Sequence, residues 1–359
     1  MKKNILLVDD SALMRRVISD IINSDNRFQV TETAANGLEA LNIILDRGEK
    51  LDAVILDINM PKMNGIEFLE QLNIRNIKIT VIIVSTIARR DAKETIRALE
   101  LGAFDFVTKP ENYIEVKSNI FTNKVLECLS LAMKLDQDQE KKNLKIDIER
   151  LARKRKRENP DQACRKLVAI ACSTGGPKAL HEVIPKLPEN LDASVLIVQH
   201  MPGGFTKSLA DRLNDLSKVE VKEAQDGDEI KKGVVYIAKG GYQMRLKNGD
   251  GKQTLAVTSE AARRGLSPCA DIMYESLVDS EYDQIFCVVL TGMGGDGLDG
   301  ITLLNKSKNI YVIAQDEETS IVYGMPKVIR DAGLADEIVA LDQVAEAIIK
   351  NVGVYEYGC

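Results

Sequence analysis

Short runs of aliphatic and β-branched residues, apolar at nearly every position, recur along this chain and dictate its architecture. They are Ile5-Leu6-Leu7-Val8, Ala53-Val54-Ile55-Leu56, Val81-Ile82-Ile83-Val84, Leu167-Val168-Ala169-Ile170, Val195-Leu196-Ile197-Val198 and Ile285-Phe286-Cys287-Val288-Val289-Leu290. A strand with no polar alternate is buried on both faces, which is the situation of a parallel sheet covered by helices. Between the early runs, Met14, Val17, Ile18 and Ile21, then Ala40, Leu41, Ile44 and Leu45, recur at helical spacing. The alternation predicts α/β folding as doubly wound parallel sheets. At 359 residues the chain holds two such domains, each with its own core.

The boundary is legible in composition. Residues 135–163 are poor in apolar side chains, carry charges of both signs and end near the basic run Arg153-Lys154-Arg155-Lys156-Arg157. Such a segment is a charged linker with a solvated basic run. The expected division is a first domain over 1–134, a linker over 135–163 and a second domain over 164–359. A helix over 113–134 closes the first domain. Shorter strands at Val234–Ile237 and Tyr311–Ile313, a helix starting near Pro177 and another over Pro326–Ala332 fill out the second. No sequence repeat relates the halves.

Composition narrows the function. A formal charge of -6 argues against a general nucleic-acid binder, which carries a basic surplus. No apolar run approaches the roughly 20 residues a membrane helix needs, and Met1-Lys2-Lys3-Asn4 opens directly into a strand-like run. The 6 cysteines lack pairing or metal-ligand spacing. These features point to the cytoplasm, with no direct membrane insertion. Histidine is scarcer still: His181 and His200 are the only two, so any mechanism using an imidazole of this chain uses one of them.

In the first domain Asp9 and Asp10 follow the first strand and Asp57 ends the run Ala53–Leu56. Parallel strands deliver their C-terminal ends to one edge, where ligands bind. Carboxylates gathered there repel one another, and a hard divalent cation such as Mg2+ relieves that repulsion. With phosphate charge neutralised, a carboxylate such as Asp57 can attack phosphorus. Ser85 and Thr86 follow Val84 with a hydroxyl for a phosphoryl oxygen, and Lys109 brings an ammonium to the same edge. The competing reading is that Asp9 and Asp10 merely cap a helix.

Leu7-Val8-Asp9-Asp10-Ser11, Leu56-Asp57-Ile58-Asn59-Met60-Pro61-Lys62-Met63-Asn64-Gly65 and Gly102-Ala103-Phe104-Asp105-Phe106-Val107-Thr108-Lys109-Pro110 resemble the signatures of two-component receiver domains. The resemblance covers residues 3 to 130 and implies a flavodoxin-like fold. It implies that Asp57 accepts a phosphoryl group from a histidine kinase, and that Asp9, Asp10, Asp57 and the Asn59 carbonyl hold Mg2+. Ser85, or Thr86 one residue on, and Lys109 then read the phosphoryl state.

In the second domain Ser173 lies in Ala171-Cys172-Ser173-Thr174-Gly175-Gly176-Pro177, just after a strand and before a helix. His200 ends the strand Val195–Gln199, and Asp296 lies in Thr291-Gly292-Met293-Gly294-Gly295-Asp296-Gly297, just past the strand Ile285–Leu290. All three reach one sheet edge, as a nucleophile, base and orienting acid require. His181 would sit eight residues further along a helix, roughly 12 Å away. Cys172 is a rival nucleophile, but strand alternation turns it to the other face. The trio supports acyl transfer, with backbone N–H groups at Thr174 and Met293 as oxyanion donors. Its Ser…His…Asp order separates it from α/β-hydrolases. Neither glycine loop carries a dinucleotide or P-loop fingerprint. A small-molecule esterase and a nucleotide-binding output domain stay open at this point.

Ser173-Thr174-Gly175-Gly176-Pro177, Gln199-His200-Met201-Pro202 with Phe205-Thr206, Leu290–Gly297, and Gln315-Asp316-Glu317 with Tyr323-Gly324-Met325-Pro326 resemble the catalytic domain of chemotaxis protein-glutamate methylesterases. That family joins a receiver to a Rossmann-like esterase domain in the same order. The resemblance implies a phosphorylation-activated serine esterase, acting as a monomer on glutamate γ-methyl esters of chemoreceptor cytoplasmic helices. It also implies side-chain glutamine deamidation, no cofactor for the esterase, and a receiver that blocks receptor access until Asp57 is phosphorylated. Three departures stand out: Ala171-Cys172 before the serine, Gly295, and Leu266-Ser267-Pro268-Cys269, where the family has a common Arg-Pro-Ser segment.

Overall fold

The computed structural model describes residues 2–86, 88–110, 119–135, 165–249 and 252–355. The chain divides into two compact units, Met1–Lys145 and Ile146–Cys359. The linker expected over 135–163 lies, apart from Leu135, outside the described residues, as does the start of the helix expected at 113.

In the first unit the order is β1 (Lys3–Val8), α1 (Ala12–Ser24), β2 (Phe28–Ala34), α2 (Gly37–Arg47), β3 (Ala53–Asp57), α3 (Gly65–Ile74), β4 (Thr80–Ser85), α4 (Arg89–Glu100), β5 (Asp105–Thr108) and α5 (Asn119–Ala132). The sheet runs β2-β1-β3-β4-β5, parallel throughout. From β1 the chain steps to β2 on one side and later to β3 on the other, so the crevice of this sheet opens at the C-terminal ends of β1 and β3. Ile5, Leu7, Ile55, Ile82 and Val84 pack with Phe28, Phe121 and Val125 in one core. The loop after β3 is anchored at the start of α3 by a capping box between Asn64 and Glu67.

The second unit follows as β6 (Lys166–Cys172), α6 (Gly176–Val183), β7 (Ser194–Gln199), α7 (Phe205–Leu216), β8 (Glu220–Glu223), β9 (Val234–Ile237), β10 (Gln243–Gly249), β11 (Lys252–Thr258), α8 (Ala270–Ser276), β12 (Gln284–Val289), α9 (Leu298–Ser307), β13 (Asn309–Gln315), α10 (Met325–Asp331), β14 (Glu337–Val339) and α11 (Val344–Val352). Seven strands form a parallel sheet in the order β14-β13-β12-β6-β7-β9-β8. The first strand is again central, with β7 on one side and β12 on the other. Cys172 pairs with Gln199 and Ala171 with Val289, so the three strand ends lie side by side. The fully buried Tyr274 of α8 donates its hydroxyl to the Ala169 carbonyl (3.1 Å), tying that helix to β6.

Two features depart from the sequence-based expectation. The helices expected from Pro177 and Pro326 each begin one residue earlier, because proline is suited to the first turn of a helix. The antiparallel hairpin of β10 and β11 has no place in a doubly wound pattern; its residues Met244, Leu246 and Leu255 turn inward to the core that holds α8. The Asp250-Gly251 pair in the sequence was the signal for it. Among the described residues no helix is long and apolar enough to cross a membrane.

Ile170 sits at the centre of β6, buried between β7 and β12. Its replacement by alanine leaves a cavity where neighbouring strands cannot close in. Ile170→Ala is expected to cost about 2–5 kcal/mol, measured as a lowered urea midpoint of unfolding.

Candidate functional sites

At the end of β1, Ser11 caps α1, its hydroxyl accepting from the Met14 N–H (3.3 Å), while its own N–H donates to Asp9 Oδ1 (2.8 Å). The capping role belongs to Ser11, and the carboxylates of Asp9 and Asp10 are released for other work. Asp9 and Asp57 are buried and Asp10 exposed, and one oxygen of each lies within 4.8 Å of the others. Lys109 Nζ bridges the buried pair, 2.8 Å from Asp9 Oδ2 and 2.8 Å from Asp57 Oδ2. Asp57 Oδ1 accepts from the Ile58 N–H (2.8 Å).

One cation shared by two buried carboxylates leaves a net negative charge. Burial pushes the Asp57 carboxyl above its ordinary value, and the attraction of Lys109 only partly offsets it. For Lys109 burial acts downward, but Asp57 and then Asp9 outweigh it and hold the ammonium above its usual range. Three convergent carboxylates with an uncompensated charge form an all-oxygen donor set suited to a hard cation. The loop sits close behind: a Cβ on Gly65 would lie 2.6 Å from the Asp57 carbonyl oxygen.

The other candidates of this unit separate. Ser85 is the buried last residue of β4, its hydroxyl accepting from Thr95 Oγ1 (2.8 Å), and its carbonyl receives the Lys109 N–H (2.7 Å). Thr86 is exposed and its hydroxyl bonds Asp91. The Asn59 side chain also turns to Asp91, 2.8 Å from Oδ1.

In the second unit Ser173, His200 and the Asp296 loop emerge from β6, β7 and β12. The ladder continues past the strands: Ser173 N–H donates to the Thr291 carbonyl (3.0 Å) and His200 N–H to the Cys172 carbonyl (3.1 Å). His200 Nε2 lies 2.7 Å from Asp296 Oδ2. With the Nε2–H donating to a carboxylate, Nδ1 is the nitrogen left to accept a proton. No hydrogen bond joins Ser173 Oγ to the ring in this structure, and such bonds commonly tighten only with substrate in place.

Asp296 is buried, which by itself would raise its pKa. The hydrogen bond and charge of His200, then the N–H groups of Ala270 (2.6 Å) and Asp271 (3.0 Å), hold it well below the carboxylate range instead. It is therefore ionised beside the imidazole throughout the neutral range.

Two peptide planes beside Ser173 are clamped by their carbonyls. The Ser173 carbonyl accepts from the Gly176 N–H (2.7 Å) and Gln199 Nε2 (3.0 Å). The Gly292 carbonyl accepts from the N–H groups of Gly324 (3.1 Å) and Met325 (2.8 Å). A trans peptide points its N–H opposite its carbonyl, so the Thr174 and Met293 N–H groups face away from those clamps, and neither donates to a protein group among the described residues. Gly292 itself presses on the serine: a Cβ there would fall 2.8 Å from Ser173 Cβ and 2.4 Å from Met325 Sδ.

Several expectations resolve at this edge. His181 is half-buried on α6 with Nδ1 2.7 Å from its own helix carbonyl at Pro177, apart from the trio. Cys172 is fully buried and its thiol pKa is driven up by desolvation, which disqualifies it as a nucleophile. Gln315 and the Tyr323–Pro326 segment act as supports, Gln315 Oε1 receiving the Thr291 N–H (2.8 Å).

Sequence reasoning missed Gln199. Buried at the end of β7, it donates to the carbonyls of both Ser173 (3.0 Å) and His200 (3.1 Å) and accepts from the Cys172 thiol (3.0 Å). The available signal was a lone amide closing an otherwise apolar buried strand.

The chain is similar to known proteins. The family model described as CheB methylesterase matches residues 168–348, and that of the response regulator receiver domain matches 5–121. A protein-glutamate methylesterase/protein-glutamine glutaminase of Syntrophomonas wolfei is 39% identical over 354 residues, 97% of this chain and 99% of that one. One from Pyrococcus abyssi is 39% identical over 353 residues, 98% of this chain and 94% of that one. The crystal structure of the Thermotoga maritima CheB methylesterase catalytic domain is 41% identical with a TM-score of 0.50, covering 52% of this chain and 99% of that domain.

Two stability effects follow. Because the folded-state pKa of Asp57 is raised, its stabilising contribution is full below the ordinary value of 3.8 and is lost as pH rises through the folded value. Asp57→Asn is therefore expected to melt higher than wild type at neutral pH, with the gain vanishing in acid below about pH 4. Gln199→Met keeps the volume but strands buried carbonyls and is expected to cost about 1–3 kcal/mol in denaturant unfolding.

Proposed function

The chain belongs to the CheB methylesterase family, with a response-regulator receiver ahead of the esterase unit, and on that premise we propose that Ser173, His200 and Asp296 are its catalytic residues. It is a protein-glutamate methylesterase/protein-glutamine glutaminase, a hydrolase of chemotaxis under phosphorylation control. The observation that carries the assignment is the 2.7 Å contact of His200 Nε2 with a buried Asp296, beside Ser173 on the adjacent strand end.

His200 Nδ1 takes the Ser173 hydroxyl proton as Oγ attacks the γ-carbonyl of a glutamate methyl ester. The resulting oxyanion is received by the Thr174 and Met293 N–H groups, each such donor being worth about 10²–10³ in kcat. His200 returns the proton to the departing oxygen, methanol leaves, and a γ-acyl-Ser173 ester remains. A water, deprotonated by His200, then attacks that ester; the acyl–Oγ bond breaks, His200 returns the proton to Ser173 Oγ, and the glutamate side chain leaves as its carboxylic acid, which ionises. With glutamine the leaving group is ammonia and every other step is shared. Asp296 keeps its charge throughout and stabilises the imidazolium.

The family relationship supports a cytoplasmic location and the methylated cytoplasmic helices of chemoreceptors as substrates. In the receiver, Asp57 is the phosphoryl acceptor, served by a histidine kinase. Asp9, Asp10, Asp57 and the Asn59 carbonyl would hold Mg2+, which neutralises phosphoryl charge when bound. Ser85 and Lys109 read the phosphoryl group; Ser85 is preferred because Thr86 is turned to Asp91. The receiver limits substrate access until it is phosphorylated, and a bias of about 5 kcal/mol between states suffices for that switch.

The test is methanol release from methylated receptor cytoplasmic fragments, with and without a small phosphodonor and Mg2+. Ser173→Ala and Asp296→Asn are each expected to lose about 10⁴-fold or more in kcat. Asp57→Asn is expected to keep basal activity and no longer respond to the phosphodonor. Full activity in Ser173→Ala would sink the mechanism, and a wild-type response in Asp57→Asn would sink the switch. Turnover of small esters but not of the receptor fragments would move the reading to a small-molecule esterase.

A further inference from the structure

We propose that Asp271 is a positioning residue of the esterase site, its carboxylate locking the Asp296 loop onto the chain segment that supplies Asp296 with backbone donors. The proposal rests on the reading of Asp296 as the partner of His200.

The two aspartates are tied reciprocally. Asp296 accepts from the N–H groups of Ala270 and Asp271, which open α8. In return Asp271 Oδ1 accepts from the N–H groups of Gly297 (2.9 Å) and Gly300 (2.8 Å), which open α9 directly after Asp296. Each carboxylate thus satisfies the unpaired donors of the other's helix start. The backbones meet at this point: a Cβ on Gly300 would lie 2.6 Å from Tyr274 Cβ and 2.9 Å from the Asp271 carbonyl oxygen.

Asp271 is only 1% exposed, so solvent does not stand in for its carboxylate. Its other oxygen lies 3.8 Å from the exposed Arg264, which pairs more closely with Asp299 (2.7 Å). The two buried carboxylates divide their roles electrostatically. Burial, with the Asp296 charge adding to it, drives Asp271 above the carboxylate range, while His200 holds Asp296 below it. Asp296 therefore carries the charge that the imidazole needs, and Asp271 supplies an acceptor oxygen. That oxygen bonds the backbone next to Asp296 rather than His200, so its influence on catalysis passes through the placement of Asp296.

Misplacement of a catalytic group by about 1 Å costs on the order of 10²-fold in rate. In the full-length protein, Asp271→Ala is expected to lower kcat for methanol release about 10- to 100-fold with KM unchanged. The far-downfield NMR signal of the His200 Nε2 proton should weaken with it. Asp271→Asn, whose amide oxygen can still accept from Gly297 and Gly300, is expected to recover most of kcat and the signal. Should the alanine variant not fold, Asp271→Ser, too short to span both amides, is expected to show the same split.

Wild-type kcat in a folded Asp271→Ala or Asp271→Ser protein overturns the proposal. So does an Asp271→Asn protein as impaired as those variants. Ser173→Ala measured alongside keeps the two readings apart: loss there with unimpaired Asp271 variants removes only the positioning role, whereas full activity there removes the esterase mechanism.

Discussion

Crossover helices bury both faces of a parallel sheet and leave the strand ends as the place where polar chemistry can stand. Both units of this chain obey that constraint with a central first strand. In the first, the turn of strand order at β1 and β3 brings Asp9 and Asp57 together across the crevice. In the second, β6 lies between β7 and β12, so Ser173, His200 and the Asp296 loop share one edge. Gln199 breaks the apolar interior near the second site at the last position of its strand, where it fastens the serine turn to the histidine turn.

The two sites manage buried negative charge in opposite ways. The receiver edge holds two buried carboxylates on one ammonium, and the Asp57 carboxyl is left destabilised by burial. That is a site with electrostatic demand for further positive charge, suited to an acceptor that works with a divalent cation. The esterase edge instead gives Asp296 an imidazole partner and two backbone N–H groups, and its charge is comfortable without any added cation. Uneven environments of this kind let one fold type support the phosphoryl acceptor proposed for one unit and the general-base system proposed for the other.

The geometry of the proposed catalytic site depends on peptide groups as much as on side chains. The carbonyls of Ser173 and Gly292 are held by neighbouring amides, which fixes the direction of the next N–H in each case. Gly292 and Gly324 are glycines because the loops cross with no room for a Cβ: one on Gly324 would lie 2.7 Å from the Gly292 carbonyl oxygen. Such sites are pre-organised by backbone packing, so the donors meet developing charge without first having to reorganise.

What the sequence by itself determined was the strand pattern and, through it, the shared edges. The apolar runs predicted the strands that lead into Asp9, Asp57, Ser85, Ser173, His200 and the Asp296 loop, because burial on both faces demands uniform hydrophobicity. Asp57, Ser173, His200 and Asp296 were singled out because chemistry follows strand ends. Tertiary structure alone decided the rest. It assigned the cap of α1 to Ser11, put Nε2 of His200 on Asp296, and paired Asp271 with the amides of Gly297 and Gly300. The contacts of Asp296 and Asp271 join residues distant in the chain, and periodicity carries no record of which distant donor a carboxylate will meet.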